Sequence, residues 1–445
     1  MSILTALTVA AALASGAAGD GWKAGVARAD ITPTESMWLA GYAARDHESE
    51  GGALQTLWVK ALAIEDAAGN RGLIITSDHL GYPRAMSDRI FDRLKEATGL
   101  DRPNIILSSS HTHSGPVIDG SLMCLYPVDA AGLEKIRRYG VELEDKTVAV
   151  GREAFQTMTP VRLESANGVT RFAVNRRNNK EPQIAVTYDL NGPIDHAVPV
   201  LRVSRESGEP LAILFGYACH GTVLMAYQWC GDYAGYAQET IEKAHPGTMA
   251  LFFAGCGADQ NPLPRRTLSL AKQYGSELAG AVECAMAEPM KPLESSLKTA
   301  RTVVELFLET PPDREALLKM KAPFYVKRAA EEMIAQLDAG QALRSSYMYP
   351  VQVWNLGGLP VVALAGEVVV DYAILTKQMF GPQTFVMAYS NELTSYIPNA
   401  RVIREGGYEG EGSQMEYGMP NKWREDIETR IVDTIKTTAK EAGVL

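Results

Sequence analysis

The chain has 445 residues, of which 46% are hydrophobic and 22% charged, and its formal net charge at pH 7 is -10. Such a composition is ordinary for a soluble globular protein, and the length is enough for a substantial buried core in one large domain or in two or three smaller ones. The negative charge argues against nucleic acid or an anionic membrane surface as the main partner, because both would repel it.

An apolar run from Leu4 to Ala14 gives way to the small residues Ser15-Gly-Ala-Ala-Gly19. That length and exit predict a signal peptide over residues 1–19, without the usual preceding Lys or Arg, and hence a secreted or periplasmic protein. The run is too short to span a bilayer and no other stretch is apolar enough, so no transmembrane segment is expected. Residues 57–64 read as a strand, followed by the turn-prone Asp66-Ala-Ala-Gly-Asn70 and a second strand at 72–76. A helix comes next, capped by Ser87, with Ile90, Phe91, Leu94 and Ala97 on one face and a stop near Gly99. The apolar run 104–107 completes a strand-helix-strand unit, which predicts a parallel segment of sheet.

That run stops at Ser108-Ser-Ser-His111-Thr-His113-Ser-Gly-Pro116, a polar cluster at the kind of rim where open α/β sheets keep their sites. On an extended backbone residues two apart point the same way, so both imidazoles can face one pocket, one to bind a metal and the other to handle protons. The plainer alternative is a hydrogen-bonded pair in an ordinary loop. Four further apolar runs end alike. Residues 211–219 lead into His220, 248–254 into Gly255-Cys-Gly-Ala-Asp259-Gln-Asn261-Pro262, 360–365 into Gly366-Glu367, and 384–389 into Ser390-Asn391 and on to Tyr396. Five strand ends that each present a His, Asp/Asn, Glu or Tyr are what a site assembled along one sheet edge looks like. The predicted fold is therefore α/β, a mixed and largely parallel sheet with flanking helices and the site at the C-terminal ends of the strands.

Among the helices, Leu270, Tyr274, Leu278 and Val282 follow helical spacing and are read as core. Thr310, with Pro311 in the first turn, is expected to cap a charged surface helix running to about Asp338. A last helix from about Asn421 places Trp423, Ile427, Ile431 and Ile435 at steps of four. The five cysteines are odd in number and lack CxxC spacing, which signals neither a disulfide framework nor a thiolate zinc site. Buried free thiols are expected, with a single pair, Cys219 with Cys230 or Cys256, as the alternative.

Two neutral imidazoles, a carboxylate and one more oxygen donor make a zinc site of the catalytic sort, with a position left for water. His111, His220 and Glu367 are the ligands this reading selects, because each directly follows a strand, and one Zn2+ per chain is expected. Zinc lowers the pKa of bound water to about 7 and polarises a carbonyl, which suits amide or ester hydrolysis.

Several stretches carry a family resemblance. Gly25-Val-Ala-Arg-Ala-Asp-Ile-Thr-Pro33, His111-Thr-His-Ser-Gly-Pro116, Asn175-Arg176, Ala218-Cys-His220-Gly-Thr222, Gly231-Asp-Tyr-Ala-Gly-Tyr236, Gly366-Glu367, and Tyr396 with Tyr408-Glu-Gly410 occur in the order found in neutral/alkaline non-lysosomal ceramidases. The chain resembles the catalytic domain of that family, whose members are secreted or membrane-associated zinc amidases that cleave the N-acyl bond of ceramide. The His-Thr-His-Ser-Gly-Pro stretch and the spacing from Tyr396 to Tyr408 are the specific signals. The resemblance implies zinc on His111, His220, Glu367 and Tyr396, a proton-handling His113 beside the metal water, and Arg176 and Tyr408 binding or polarising the substrate amide.

The departures from the family pattern shape the expected mechanism. The family carries a Gly-Asp-x-Ser-Pro segment with a serine central to activity. Here Asp259 and Pro262 match it if one residue is inserted, and Asn261 takes the serine's place; without the insertion Gln260 does. Either way the hydroxyl is gone, so attack by zinc-bound water replaces a serine acyl-enzyme, with Asp259 and Asn261 counted among the catalytic group. Val117-Ile118 stands where the family has Gly-Gly, which alters the pocket mouth and points away from ceramide itself. The family's C-terminal β-sandwich is not expected, and residues 20–445 are read as a single catalytic domain. The expected function is a secreted, zinc-dependent hydrolase of an amide (N-acyl) or ester bond in a small-molecule or lipid-like acylated substrate, of open oligomeric state. Its rivals are a zinc hydrolase of acylated glycans and a non-catalytic secreted binding protein of the same fold. Retention of His113, Arg176 and Tyr408 favours an enzyme.

Overall fold

The apolar runs are long and unbroken because both of their faces are covered. The computed structural model describes residues 21–187 and 189–445, so the predicted leader lies outside the described residues. Its largest sheet runs, in spatial order, Ile105–Ser109, Arg71–Ser77, Trp58–Glu65, Trp22–Asp30, Thr159–Val169, Ala197–Arg205, Pro210–Tyr217, Met249–Ala254. Successive residues of a strand point to opposite faces. Val59, Ala61, Ala63, Leu73 and Ile75 therefore join one core, and Leu62, Ile64, Ile74 and Ile106 a second.

The first core lies under the helices Arg84–Thr98, Ala130–Gln156, Asp232–Ala244 and Leu268–Ala287. The second lies between the large sheet and a four-stranded one, ordered Leu297–Phe307, Ser346–Leu356, Leu359–Leu364, Phe385–Met387, whose Trp354, Val361, Ala363 and Phe385 face inward. The terminal helix Ile427–Glu441 packs on the outer face of the small sheet and buries Ile427, Ile431 and Ile435. The layers thus run helix, sheet, sheet, helix.

This is the expected α/β class with a mixed sheet and flanking helices, but the sheet is not largely parallel. Within it, Arg71–Ser77 with Ile105–Ser109 and Pro210–Tyr217 with Met249–Ala254 are parallel, while the pairings from Arg71–Ser77 across to Pro210–Tyr217 are antiparallel. Connection length accounts for two of the antiparallel pairings: residues 66–70 and 206–209 join their strands as hairpins, whereas a parallel crossover needs a dozen or more residues.

Local signals were also overridden. Ser87 lies inside its helix, which starts at Arg84 after Pro83, and its hydroxyl donates to the Asn391 carbonyl; the stop at Gly99, with φ 75°, is as expected. The charged helix is two helices, Arg314–Lys319 and Phe324–Asp338, separated at Pro323, and its cap is Asp313 rather than Thr310. Trp423 precedes the terminal helix and donates its indole N–H to the Tyr396 carbonyl at 2.9 Å. All five cysteines are free thiols, four of them buried as expected, while Cys284 is exposed. Among the described residues no helix is long and apolar enough to cross a membrane.

Candidate metal centre

The outermost strands of the large sheet, Ile105–Ser109 and Met249–Ala254, approach one another, so segments far apart in sequence end at one place. The connections leaving the strands are stitched together. His113 donates its backbone N–H to Gly221 at 3.1 Å, and His220 donates to Gln260 at 3.0 Å. Glu367–Val368 pairs in parallel with Tyr396–Ile397, which puts Glu367 directly beside Tyr396. A short ladder pairs Gln260 with Asn175 and Asn261 with Val174, bringing Asn261 next to Arg176. His111 itself has φ 56°, so the two imidazoles do not meet through an extended backbone as expected; a left-handed turn at the strand end aims His111, a conformation of a kind that clusters at functional sites.

His111, His113 and His220, all buried, offer ring nitrogens within 4.8 Å of one another. Nδ1 of His111 lies 2.7 Å from the Leu80 carbonyl and Nδ1 of His220 lies 2.7 Å from the Gly257 carbonyl. Carbonyl oxygens only accept, so Nδ1 carries the proton in both rings and each Nε2 is left as a lone pair. Glu367 Oε2 stands 3.3 Å from His111 Nε2 and 3.1 Å from His220 Nε2, and it is buried with no hydrogen-bonding partner. Tyr396 Oη lies 3.3 Å from His220 Nε2. Lone pairs and a carboxylate oxygen converging in a buried space repel unless a cation sits among them. Tetrahedral zinc with bonds of about 2.0–2.1 Å sets its ligand atoms about 3.3–3.4 Å apart, so these residues fit an ion of that size. Fixing Nδ1 to a carbonyl is also how metal-bound histidines are usually oriented.

Electrostatics favours the same state. Burial, then the charge of Arg176, pulls His220 down to about 4, and burial together with His111 holds His113 well below the usual histidine range. Burial opposes ionisation of Glu367, but positive charge and hydrogen bonding at His111 and His220 outweigh it and hold its carboxyl well below the usual carboxylate range; with those rings neutral, a cation among them takes that place. A neutral His113 and His220 beside an ionised Glu367 are protonation states that suit a metal site.

The remaining expected residues divide between cleft and scaffold. Arg176 donates to Tyr396 Oη at 3.0 Å, to Glu409 at 2.7 Å and to Asn261 Oδ1 at 3.3 Å. Burial opposes its charge, but Tyr396 and Glu409 outweigh that and keep the guanidinium protonated. Asn261 lines the cleft with Arg176 and Tyr408, and its Nδ2 makes no hydrogen bond among the described residues. Gln260 points into the scaffold, accepting from Asp195 N–H at 3.2 Å and donating to the Ala218 carbonyl. Asn261 is therefore the side chain at the site. Asp259 does not reach the cluster: its carboxylate takes Asn175 Nδ2 at 3.0 Å and Val370 N–H at 2.9 Å, bracing the loops on either side, and burial lifts it to about 6. Tyr408 packs its ring 5.2 Å from that of Tyr396 and donates its hydroxyl to Glu416 at 2.9 Å. His113 Nε2 is 3.2 Å from His111 Nε2, beside the point where the other side chains meet rather than in the carbonyl-anchored pair.

Four participants escaped the sequence reading. Tyr417 donates its hydroxyl to Glu367 Oε1. Glu409 clamps Arg176 and Arg177 at 2.7 Å each. Thr222 lies 3.5 Å from Asn261 Oδ1. Gly41, with φ 93°, packs so closely on His113 that a Cβ there would fall 2.2 Å from Nδ1. Glu409, in the Tyr408-Glu-Gly410 stretch, and Thr222, in Ala218-Cys-His220-Gly-Thr222, had a local signal; Tyr417 and Gly41 had none.

The family model for neutral/alkaline non-lysosomal ceramidases, N-terminal, matches residues 22–260. Curated relatives include neutral ceramidase A of Dictyostelium discoideum, 28% identical over 234 residues that make up 50% of this chain and 32% of that protein. Neutral ceramidase of Pseudomonas aeruginosa is 27% identical over 209 residues, 45% of this chain and 30% of that one. The matched stretch thus spans about a third of these relatives. The crystal structure of the Pseudomonas aeruginosa neutral ceramidase superposes with a TM-score of 0.74 at 17% identity, over 95% of this chain and 74% of that chain, and so shares the fold.

Proposed function

We propose that this chain, which belongs to the neutral/alkaline non-lysosomal ceramidase family, is a zinc-dependent hydrolase of an N-acyl amide or acyl ester bond, exported by its N-terminal leader. The observation that carries the proposal is the convergence of His111 Nε2, His220 Nε2, Glu367 Oε2 and Tyr396 Oη at 3.1 to 3.3 Å with no proton to separate the two imidazole lone pairs from the carboxylate. These four residues would hold the ion, and zinc in such a site would supply Lewis acidity to a carbonyl and acidity to water. His113, neutral and next to the cluster, takes a proton from the attacking water and returns it to the leaving amine or alcohol. Arg176, fixed by Glu409, and Tyr408 orient the acyl group from the cleft side. Asn261, whose Oδ1 is engaged by Arg176, has its amide N–H free to donate to the developing oxyanion. An asparagine cannot be acylated, so the reaction runs in a single displacement by water.

A screen of N-acyl and O-acyl substrates on zinc-loaded protein tests this. Asn261→Ala is expected to lower turnover about 10²–10³-fold, and His113→Ala at least as much, each with zinc retained. Unchanged turnover in Asn261→Ala, or a covalent acyl adduct seen by mass spectrometry during turnover, would refute the mechanism.

A further inference from the structure

The cleft that opens onto Arg176, Asn261 and Tyr408 has a volume of about 800 Å3. The metal centre lies behind its floor, at one remove: Arg176, which lines the cleft, reaches Tyr396 Oη at 3.0 Å, and that oxygen lies 3.3 Å from His220 Nε2. Its walls are charged. Arg177 pairs with Glu409 at 2.7 Å and with Glu405 at 3.1 Å, and Arg265 pairs with Glu181 at 2.9 Å. Lys180 stands exposed at the rim, with Asn179 beside it. Besides the Tyr408 ring, Pro182 and Leu263 are the apolar side chains on offer.

An alkyl chain lying in such a cleft strips water from ion pairs and returns no hydrogen bond, so its own burial is offset by their desolvation. A hydroxylated chain replaces that water group for group. Deepening the hydrolase reading above, on which it rests, we propose that the part of the substrate filling this cleft is hydroxyl-rich and water-soluble, a sugar or polyol joined through the scissile bond, and that long alkyl chains are refused there.

Hydroxamates anchor on zinc and need no turnover, so they separate the cleft's preference from the hydrolysis. Titration calorimetry on the zinc-loaded full chain compares the aliphatic series from acetohydroxamate to octanohydroxamate with gluconohydroxamate, the six-carbon polyol matched to hexanohydroxamate. Affinity is expected to stay within about threefold along the aliphatic series, and gluconohydroxamate to bind at least about tenfold more tightly than hexanohydroxamate. Lys180→Leu, an exposed position, should weaken gluconohydroxamate while leaving acetohydroxamate unchanged. An affinity rising about fourfold per methylene, as in an apolar channel, would overturn the proposal, as would equal binding of the two six-carbon compounds. Failure of acetohydroxamate itself to bind would instead overturn the metal centre beneath it.

Discussion

Tyr417 occupies one oxygen of Glu367 and so decides which oxygen the carboxylate turns toward the imidazoles. Partners of this kind typically govern metal affinity by 10- to about 100-fold. Tyr417→Phe should therefore weaken zinc by that factor in a chelator competition while leaving the unfolding of the metal-free protein unchanged, and undiminished affinity would show that Glu367 is held by other means. Glu416, which accepts the Tyr408 hydroxyl, is raised by burial from 4.5 to about 7. A raised carboxyl binds its proton more tightly when folded, so its cost to stability is absent below pH 4.5, grows up to about pH 7 and is constant above. Glu416→Gln keeps an acceptor for Tyr408 and removes that cost. Its stability relative to wild type should be higher at pH 8 than at pH 4 by roughly 1–3 kcal/mol in denaturant titrations, and a difference independent of pH would contradict the assignment. At this scale His111, His220 and Glu367 were legible because each stands directly after an apolar run. Tyr396 and Tyr408 came only through the family resemblance. Tyr417 was not legible, because its partner lies 50 residues away and no periodicity encodes such a contact.

The loop through Gly41 is the element that sets His113. With φ 93° and no room for a Cβ, Gly41 lets the backbone lie against the imidazole, and its N–H is held by the Tyr126 hydroxyl at 2.7 Å. Gly41→Ala is expected to displace His113 and lower turnover about 10²-fold or more, the usual worth of a positioned proton carrier, while zinc per chain stays at the wild-type level. Loss of metal along with activity would show that the loop supports the ligands as well. Elements were easier to find than to delimit. All five strand ends exist as expected, but Ser87 and Thr310 are good caps by type that tertiary contacts put to other uses, Ser87 on Asn391 and Thr310 outside a helix that Asp313 starts. The His-x-His pair converged for a reason other than the expected one, since alternation on an extended strand does not describe a residue at φ 56°.

For the whole molecule, burial on both faces hides pairing direction. A sheet covered by helices on one side and by a second sheet on the other yields the same unbroken apolar runs whether its strands are parallel or antiparallel, and only the short connections at 66–70 and 206–209 reveal hairpins. The second sheet was invisible for the same reason, because no run names the surface it packs on. What the architecture contributes to function is the approach of the large sheet's two edges, which brings His111 and His220 to Glu367 and Tyr396. The most direct measurement is anomalous diffraction at the zinc edge from crystals of the zinc-loaded protein. One strong peak is expected, within about 2.0–2.3 Å of His111 Nε2, His220 Nε2, Glu367 Oε2 and Tyr396 Oη; a peak held instead by His111, His113 and His220 away from Glu367, or no peak in this cluster, would contradict the assignment.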